Sequence, residues 1–171
     1  VKRLKDAGAI PIGRTNLPEL GLRIDTDNPL RGRTLNPWDQ TRTAGGSSGG
    51  EASAIASGMS PLGLGNDIGG SVRNPAFCCG ISSLKPSAGR IPRASTIAPV
   101  ERGFADQWMA VDGPMARRVE DLRVAYEVLS GREILDPMTA DVPLYGPDFP
   151  KRAAIVKEVP GVGLPQSALG A

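Results

Sequence analysis

No histidine occurs anywhere in this chain, so any nucleophilic chemistry it carries has to work without an imidazole base. Aromatic residues are nearly as scarce, at 4% of 171 positions, so a core has to rest on aliphatic side chains and alanine. The only two cysteines are neighbours, Cys78 and Cys79. Adjacent thiols frame no set of disulfides and lack the spacing of metal ligands, so a reducing, cytoplasmic setting is expected, with no metal site. No apolar run approaches the ~20 residues of a membrane-spanning helix, which leaves no membrane role. Net charge is only +2, and no basic cluster is interleaved with aromatics, so nothing marks a nucleic-acid surface.

What is present is a soluble composition, 40% hydrophobic and 22% charged, at the length of one ordinary domain. A compact fold of that size buries roughly 70% of its unfolded surface. The 22 glycines and 16 prolines fall at separate turn sites rather than in one disordered tract. Val1 to Ala7 reads as the tail of an amphipathic helix closed by Gly8, with no initiator Met and no capping residue before it. Pro160 to Ala171 drifts without a closing element, so the sequence is expected to be an internal piece of a longer chain.

Ala9 to Gly13 is a short apolar run between turn residues and predicts a buried strand. Residues 14–44 lack periodicity but carry apolar anchors, which points to a functional loop. Ser48 and Glu51 have the spacing of a capping box, ahead of a helix over 52–59. Residues 61–65 then predict a buried strand leading into Asn66-Asp67-Ile68-Gly69-Gly70-Ser71. Val119, Leu122, Tyr126 and Leu129 recur at helical spacing, with Gly131 just past the end. A Pro/Asp-rich connection follows over 132–150, and Ala153 to Val156 is a late strand candidate. Helices alternating with short apolar strands argue for α/β.

The densest chemistry lies in two glycine-rich segments, Gly45-Gly46-Ser47-Ser48-Gly49-Gly50 and Gly69-Gly70-Ser71-Val72-Arg73, with Ser47 and Ser71 24 positions apart. The first matches Gly-x-Ser-x-Gly, but a nucleophile elbow needs a later histidine, and there is none. No phosphate-loop Lys-Ser/Thr follows either. Alone, this run is a flexible linker or, less often, a nucleotide-binding turn. The second segment changes the weighting. A strand ending at Asp67-Ile68-Gly69-Gly70-Ser71 aims consecutive backbone N–H groups at one point, as a tetrahedral oxyanion requires. Without histidine, a serine nucleophile must pass its proton to a lysine, through another hydroxyl where the two are not in contact. Of Lys2, Lys5, Lys85, Lys151 and Lys157, Lys85 is nearest in sequence to Ser71, but nothing in its local sequence suggests burial, and a surface or structural lysine rather than a base is expected.

These segments, with Leu62-Gly63-Leu64-Gly65, Leu84-Lys85-Pro86, Gly13-Arg14-Thr15-Asn16-Leu17-Pro18-Glu19, Asn36-Pro37-Trp38-Asp39 and Gly113-Pro114-Met115-Ala116-Arg117, resemble in order and spacing the signature region of the amidase signature family. The similarity covers Leu4 to about Pro160. It implies an α/β fold with a mixed central β-sheet covered by helices, of which residues 1–171 form a single partial domain. It implies an amidase that hydrolyses a carboxamide C–N bond through a Ser–Ser–Lys triad, without cofactor or metal. By the resemblance Ser71 is the nucleophile and Ser47 the bridging serine after a cis peptide bond. Ile68, Gly69, Gly70 and Ser71 supply the oxyanion hole, and Ser48, Asp67 and Arg73 support the loop.

The family's triad lysine lies in a stretch that precedes Val1, so this segment alone is expected to be inactive. Asn66 stands where the family has Ser or Thr, and Phe77-Cys78-Cys79 and Ser82-Ser83 depart from its usual pattern. The partner implied is a small-molecule amide. An amidotransferase subunit releasing ammonia from glutamine to a partner enzyme is the alternative, and a non-catalytic binding relative a further one. Open sheet edges would also let the isolated piece associate, as a homo-oligomer among other forms.

Overall fold

The computed structural model of the chain describes residues 1–94 and 103–146. Its elements in order are α1 (Lys2–Asp6), α2 (Gly49–Ala56), β1 (Leu62–Asp67), α3 (Arg73–Cys79), β2 (Ser82–Ser83), α4 (Phe104–Met109), β3 (Val111–Ala116) and α5 (Val119–Leu129). The α/β expectation holds. β3 is the middle strand of a three-stranded sheet, antiparallel to β1 on one side and to β2 on the other. The register sets Asp67 opposite Val111 and Leu62 opposite Ala116, so the turn after β1 and the approach to β3 share one end of the sheet.

The core is made of aliphatic side chains and alanine, as the shortage of aromatics requires. Ala44, Ala52, Ile55, Ala56, Val72, Ala76, Cys79 and Met115 form one buried cluster in which α2 and α3 pack against each other and against the sheet. Small residues let the backbones of helix and strand come close, and close packing rather than bulk then supplies the contact energy. Cys79 packs as an apolar residue here, its thiol pushed up to about 11 by burial and donating to the Ala44 carbonyl.

Helix α5 has the bounds its periodicity predicts. It packs on the sheet through buried Leu122, Ala125 and Leu129, whereas Val119, on the same sequence pattern, is exposed. The C-terminal carbonyls of α5 are capped from a distance in sequence. The Arg3 guanidinium on α1 donates to Leu129 O at 3.1 Å, to Ser130 O and to Arg132 O at 2.6 Å. This answers the orphan carbonyls that end any helix and puts a cation at the negative end of its dipole.

Three expectations need correction. Residues 9–13 form no strand: Ile10 and Ile12 are 83% and 73% exposed, and no edge of the sheet reaches them among the described residues. The Ser48–Glu51 capping box is not formed. Ser48 makes no side-chain cap, the N–H of Gly49 donates instead to Thr26 Oγ1 at 3.1 Å, and Glu51 accepts from Thr15 Oγ1 at 2.7 Å. The helix over 52–59 begins and ends three residues earlier. The strand candidate at 153–156 lies outside the described residues.

β3 contains Pro114, unusual for a central strand because proline has no N–H for the ladder. Its carbonyl accepts from Leu84 N–H at 3.1 Å, yet it returns no donor, and β2 stops after two residues. Neighbouring Gly113 lies so close to this crossing that an added methyl would run into the Leu84 carbonyl oxygen. We expect Gly113→Ala to destabilise the protein by ~1–3 kcal/mol, read from the midpoint of a denaturant titration. An unchanged midpoint would mean that β2 yields without cost.

Candidate active site

The chain from Ala44 to Gly50 is buried along its whole length, an unusual setting for a glycine-rich loop and the end of the linker reading. Each of its polar groups therefore needs a partner inside the protein. Thr26, itself fully buried, supplies several. Its Oγ1 donates to Gly45 O at 2.8 Å and lies 3.3 Å from Ser47 O, and it accepts from Gly49 N–H. Thr43 Oγ1 accepts from Gly45 N–H at 2.9 Å and donates to Asp25. The Gly46–Ser47 peptide bond is cis. Residues 21–26 pass directly over it: a side chain at Gly46 would meet Arg23 O at 2.6 Å. So the long irregular segment over 14–44 is the lid and buttress of the first serine loop.

The second loop turns from β1 into α3 around one carboxylate. Asp67 is fully buried. It accepts from Gly70 N–H at 2.8 Å, from Val72 N–H at 3.0 Å, and from the Arg73 guanidinium at 3.1 and 3.0 Å. Burial pushes its carboxyl upward. The Arg73 guanidinium and the two N–H groups outweigh that and hold it at about 2. Asp67 is thus a fixed anion that organises the turn, and Arg73 is its half-exposed counterion.

The turn leaves the N–H groups of Ile68, Gly69 and Ser71 without an acceptor among the described residues. Gly70, expected as a further oxyanion donor, differs: its N–H is taken by Asp67, and its φ of +127° shows what the position needs glycine for. The two serine loops meet directly. Ser48 N–H donates to Ser71 O at 3.0 Å, joining segments that are far apart in sequence. Ser47 is 6% exposed, whereas Ser71 is only half-buried.

Lys85 has the structural role expected of it, its Nζ donating to Met109 O at 2.8 Å. Asn66 donates to Asp112 Oδ1 across the β1–β3 pair at 2.8 Å, so the departure at this position is met by a carboxylate partner. Sequence reasoning misses Thr26 and Asn74, and reaches Asn36 and Trp38 only as part of a motif, without their role. Asn36 Nδ2 and Trp38 Nε1 each donate at 2.7 Å to the last carbonyls of α3, those of Cys78 and Cys79. The signal for Asn36 and Trp38 is the Asn-Pro-Trp-Asp turn; Thr26 has none beyond the length of its loop. No group of His, Cys, Asp and Glu that could hold a metal occurs among the described residues, nor any helix long and apolar enough to cross a membrane.

Residues 1–169 match the family model of the amidases, described as Amidase. An indoleacetamide hydrolase from Bradyrhizobium diazoefficiens is 52% identical over 147 residues, covering 86% of this chain and 28% of that protein. A glutamyl-tRNA(Gln) amidotransferase subunit from Moorella thermoacetica is 40% identical over 173 residues, covering 100% of this chain and 34% of that protein. Among solved structures, a 6-aminohexanoate cyclic dimer hydrolase superposes with a TM-score of 0.76 at 38% identity, over 85% of this chain and 29% of that one. A bacterial aryl acylamidase of the amidase signature family gives 0.75 at 36% identity, over 84% and 28%. The chain thus spans about a third of the length of the curated relatives it matches. With a family match running through nearly every residue, and solved amidases sharing both fold and sequence, the chain belongs to the amidase signature family.

Proposed function

We propose that this chain is the serine-bearing part of a single, longer amidase domain that hydrolyses a carboxamide C–N bond. The observation that carries the reading is the junction of the two serine loops. There Ser48 N–H meets Ser71 O at 3.0 Å, beside three backbone N–H groups without acceptors among the described residues. Ser71, half-buried, is the nucleophile that substrate reaches; Ser47, almost wholly buried, stands behind it as the proton bridge. Ser71 Oγ bonds to the amide carbon, and its proton moves through Ser47 toward the lysine that the family resemblance puts upstream of Val1. The N–H groups of Ile68, Gly69 and Ser71 bind the oxyanion, each such donor being worth about 3 kcal/mol of barrier. The C–N bond then breaks, the leaving nitrogen takes the relayed proton, and water releases the acyl group as a carboxylic acid while Ser71 regains its proton. Ser48, Asp67 and Arg73 hold the loops in register. No cofactor enters this scheme.

The substrate of the full-length protein is a small carboxamide. The 52% identity to the indoleacetamide hydrolase supports a stand-alone hydrolase, and the two free cysteines support a reducing, cytoplasmic setting. A second reading, release of ammonia from glutamine to a partner enzyme, is favoured by the 40% identity to the amidotransferase subunit over the full chain. Ammonia release by the full-length protein, given indoleacetamide or glutamine, separates the two. Turnover of the aromatic amide without a partner supports the hydrolase, and glutamine turnover that needs a co-purifying protein supports the amidotransferase.

In the full-length enzyme Ser71→Ala is expected to lower kcat by at least ~10³-fold and to abolish labelling by a serine-reactive phosphonate. Ser47→Ala should cost ~10²–10⁴-fold, the range of a lost proton-transfer group. Retained turnover in either variant would remove that serine from the mechanism.

Asp67 gives a pH prediction. Its folded pKa of about 2 lies below the ordinary carboxyl value of 3.8, so it adds stability that is complete above pH ~4 and fades as pH falls toward 2. The shift corresponds to ~2 kcal/mol. Asp67→Asn, which offers one acceptor and turns an NH₂ group toward donors, should lose about that much at pH 7 and show a flatter acid limb. A variant as stable as the parent across the acid range would contradict the role given to the carboxylate.

A further inference from the structure

Gly46 N–H, in the peptide just before the cis Gly46–Ser47 bond, donates to Asn74 Oδ1 at 3.0 Å. Asn74 is the second residue of α3, and its own N–H donates to Gly70 O at 2.7 Å, inside the turn that carries Ser71. One residue therefore holds both serine loops, by its backbone on one side and its side chain on the other. The approach is tight: a side chain at Gly45 would meet Pro75 Cα at 2.6 Å and Asn74 Oδ1 at 2.8 Å. Pro75 takes no hydrogen bond from α3 here, since N–H groups in a first turn have no intrahelical acceptor.

We infer that Asn74 is a positioning residue that sets Ser47 against Ser71 for proton transfer; this rests on the amidase reading above. Between the loops themselves, the direct hydrogen bond among the described residues is Ser48 N–H to Ser71 O, which is backbone on both sides. Asn74 is thus where a side chain fixes the separation of the two hydroxyl-bearing segments. The first serine loop is also tied to Thr26 and Thr43, so its burial and fold do not depend on Asn74 alone. What Asn74 adds is the alignment of Ser47 with α3. Proton transfer between hydroxyls requires oxygens at hydrogen-bond distance, and a misplacement of about 1 Å in such a site costs on the order of 100-fold in rate.

The test uses the full-length enzyme with Asn74→Leu, close in shape but without an acceptor, and Asn74→Asp, which keeps an acceptor oxygen at the same reach. Active sites are titrated with a fluorophosphonate, and kcat is expressed per titrated site. Asn74→Leu should lose ~10–100-fold in kcat per site with KM changed by less than about 3-fold, whereas Asn74→Asp should recover most of the loss. A merely structural role would lower the number of titratable sites and leave kcat per site intact, and that result would overturn the inference. So would equal losses in the Asp and Leu variants. If Asn74→Leu does not fold, Asn74→Ser, polar but too short to reach Gly46, serves in its place with the same expectation. A parent enzyme that neither turns over amides nor labels at Ser71 would overturn the amidase reading itself, and this role with it.

Discussion

A buried carboxylate is ordinarily a liability, because removing a charge from water costs far more than a single ion pair returns. Asp67 is fully buried and yet stays ionised, because the guanidinium of Arg73 and the N–H groups of Gly70 and Val72 all point at it. Those donors come from the residues immediately following it. The anion therefore cannot be satisfied unless the chain turns at Gly70 and enters α3 at Arg73. That turn in turn leaves the N–H groups of Ile68, Gly69 and Ser71 without an acceptor among the described residues. The satisfied charge and these free donors are two faces of one backbone conformation.

The rest of the site is fastened to that turn. α3 starts from it, and its far end is held by Asn36 and Trp38, which belong to the same irregular stretch that covers the first serine loop. Thr26, from that stretch as well, binds the loop at Gly45, Ser47 and Gly49. A closed circuit results: the turn fixes the helix, the helix fixes the long loop, and the long loop fixes Ser47. Small residues make the circuit possible, since alanine and glycine let α2, α3 and the sheet lie close enough for side-chain amides and hydroxyls to span them.

Much of this is legible from residue types, and the exceptions have physical causes. α5 can be read because its apolar spacing is set by the sheet it covers, and β1 because a short apolar run enters a glycine turn. β3 shows in the sequence only as a motif, not as a strand. Proline has no N–H for the ladder and argues against a central strand, and only the register, with Leu84 donating to the Pro114 carbonyl, shows how β3 accommodates it. α3 escapes for a similar reason: Pro75 and the exposed Phe77 break the pattern that marks a helix. The Ser48–Glu51 spacing misleads because both residues find tertiary partners, Ser71 and Thr15, that outcompete a local cap. The serines and Asp67 can be picked from the sequence; Thr26 and Asn74 cannot, since their importance lies in what they touch across the fold.

On the amidase reading, the two serine loops have to be held in close register. In the proposed relay, as with an imidazole base, the proton passes only between atoms in hydrogen-bond contact. Each oxygen must sit within hydrogen-bond distance of the next, so every segment bearing one has to be fixed to its neighbour more tightly than ordinary loop packing provides. The burial of residues 44–50, the direct Ser48–Ser71 backbone hydrogen bond and the passage of residues 21–26 over Gly46 meet that demand. The glycines make those close contacts possible, since a side chain at Gly45, Gly46 or Gly49 would collide with the segment packed against it.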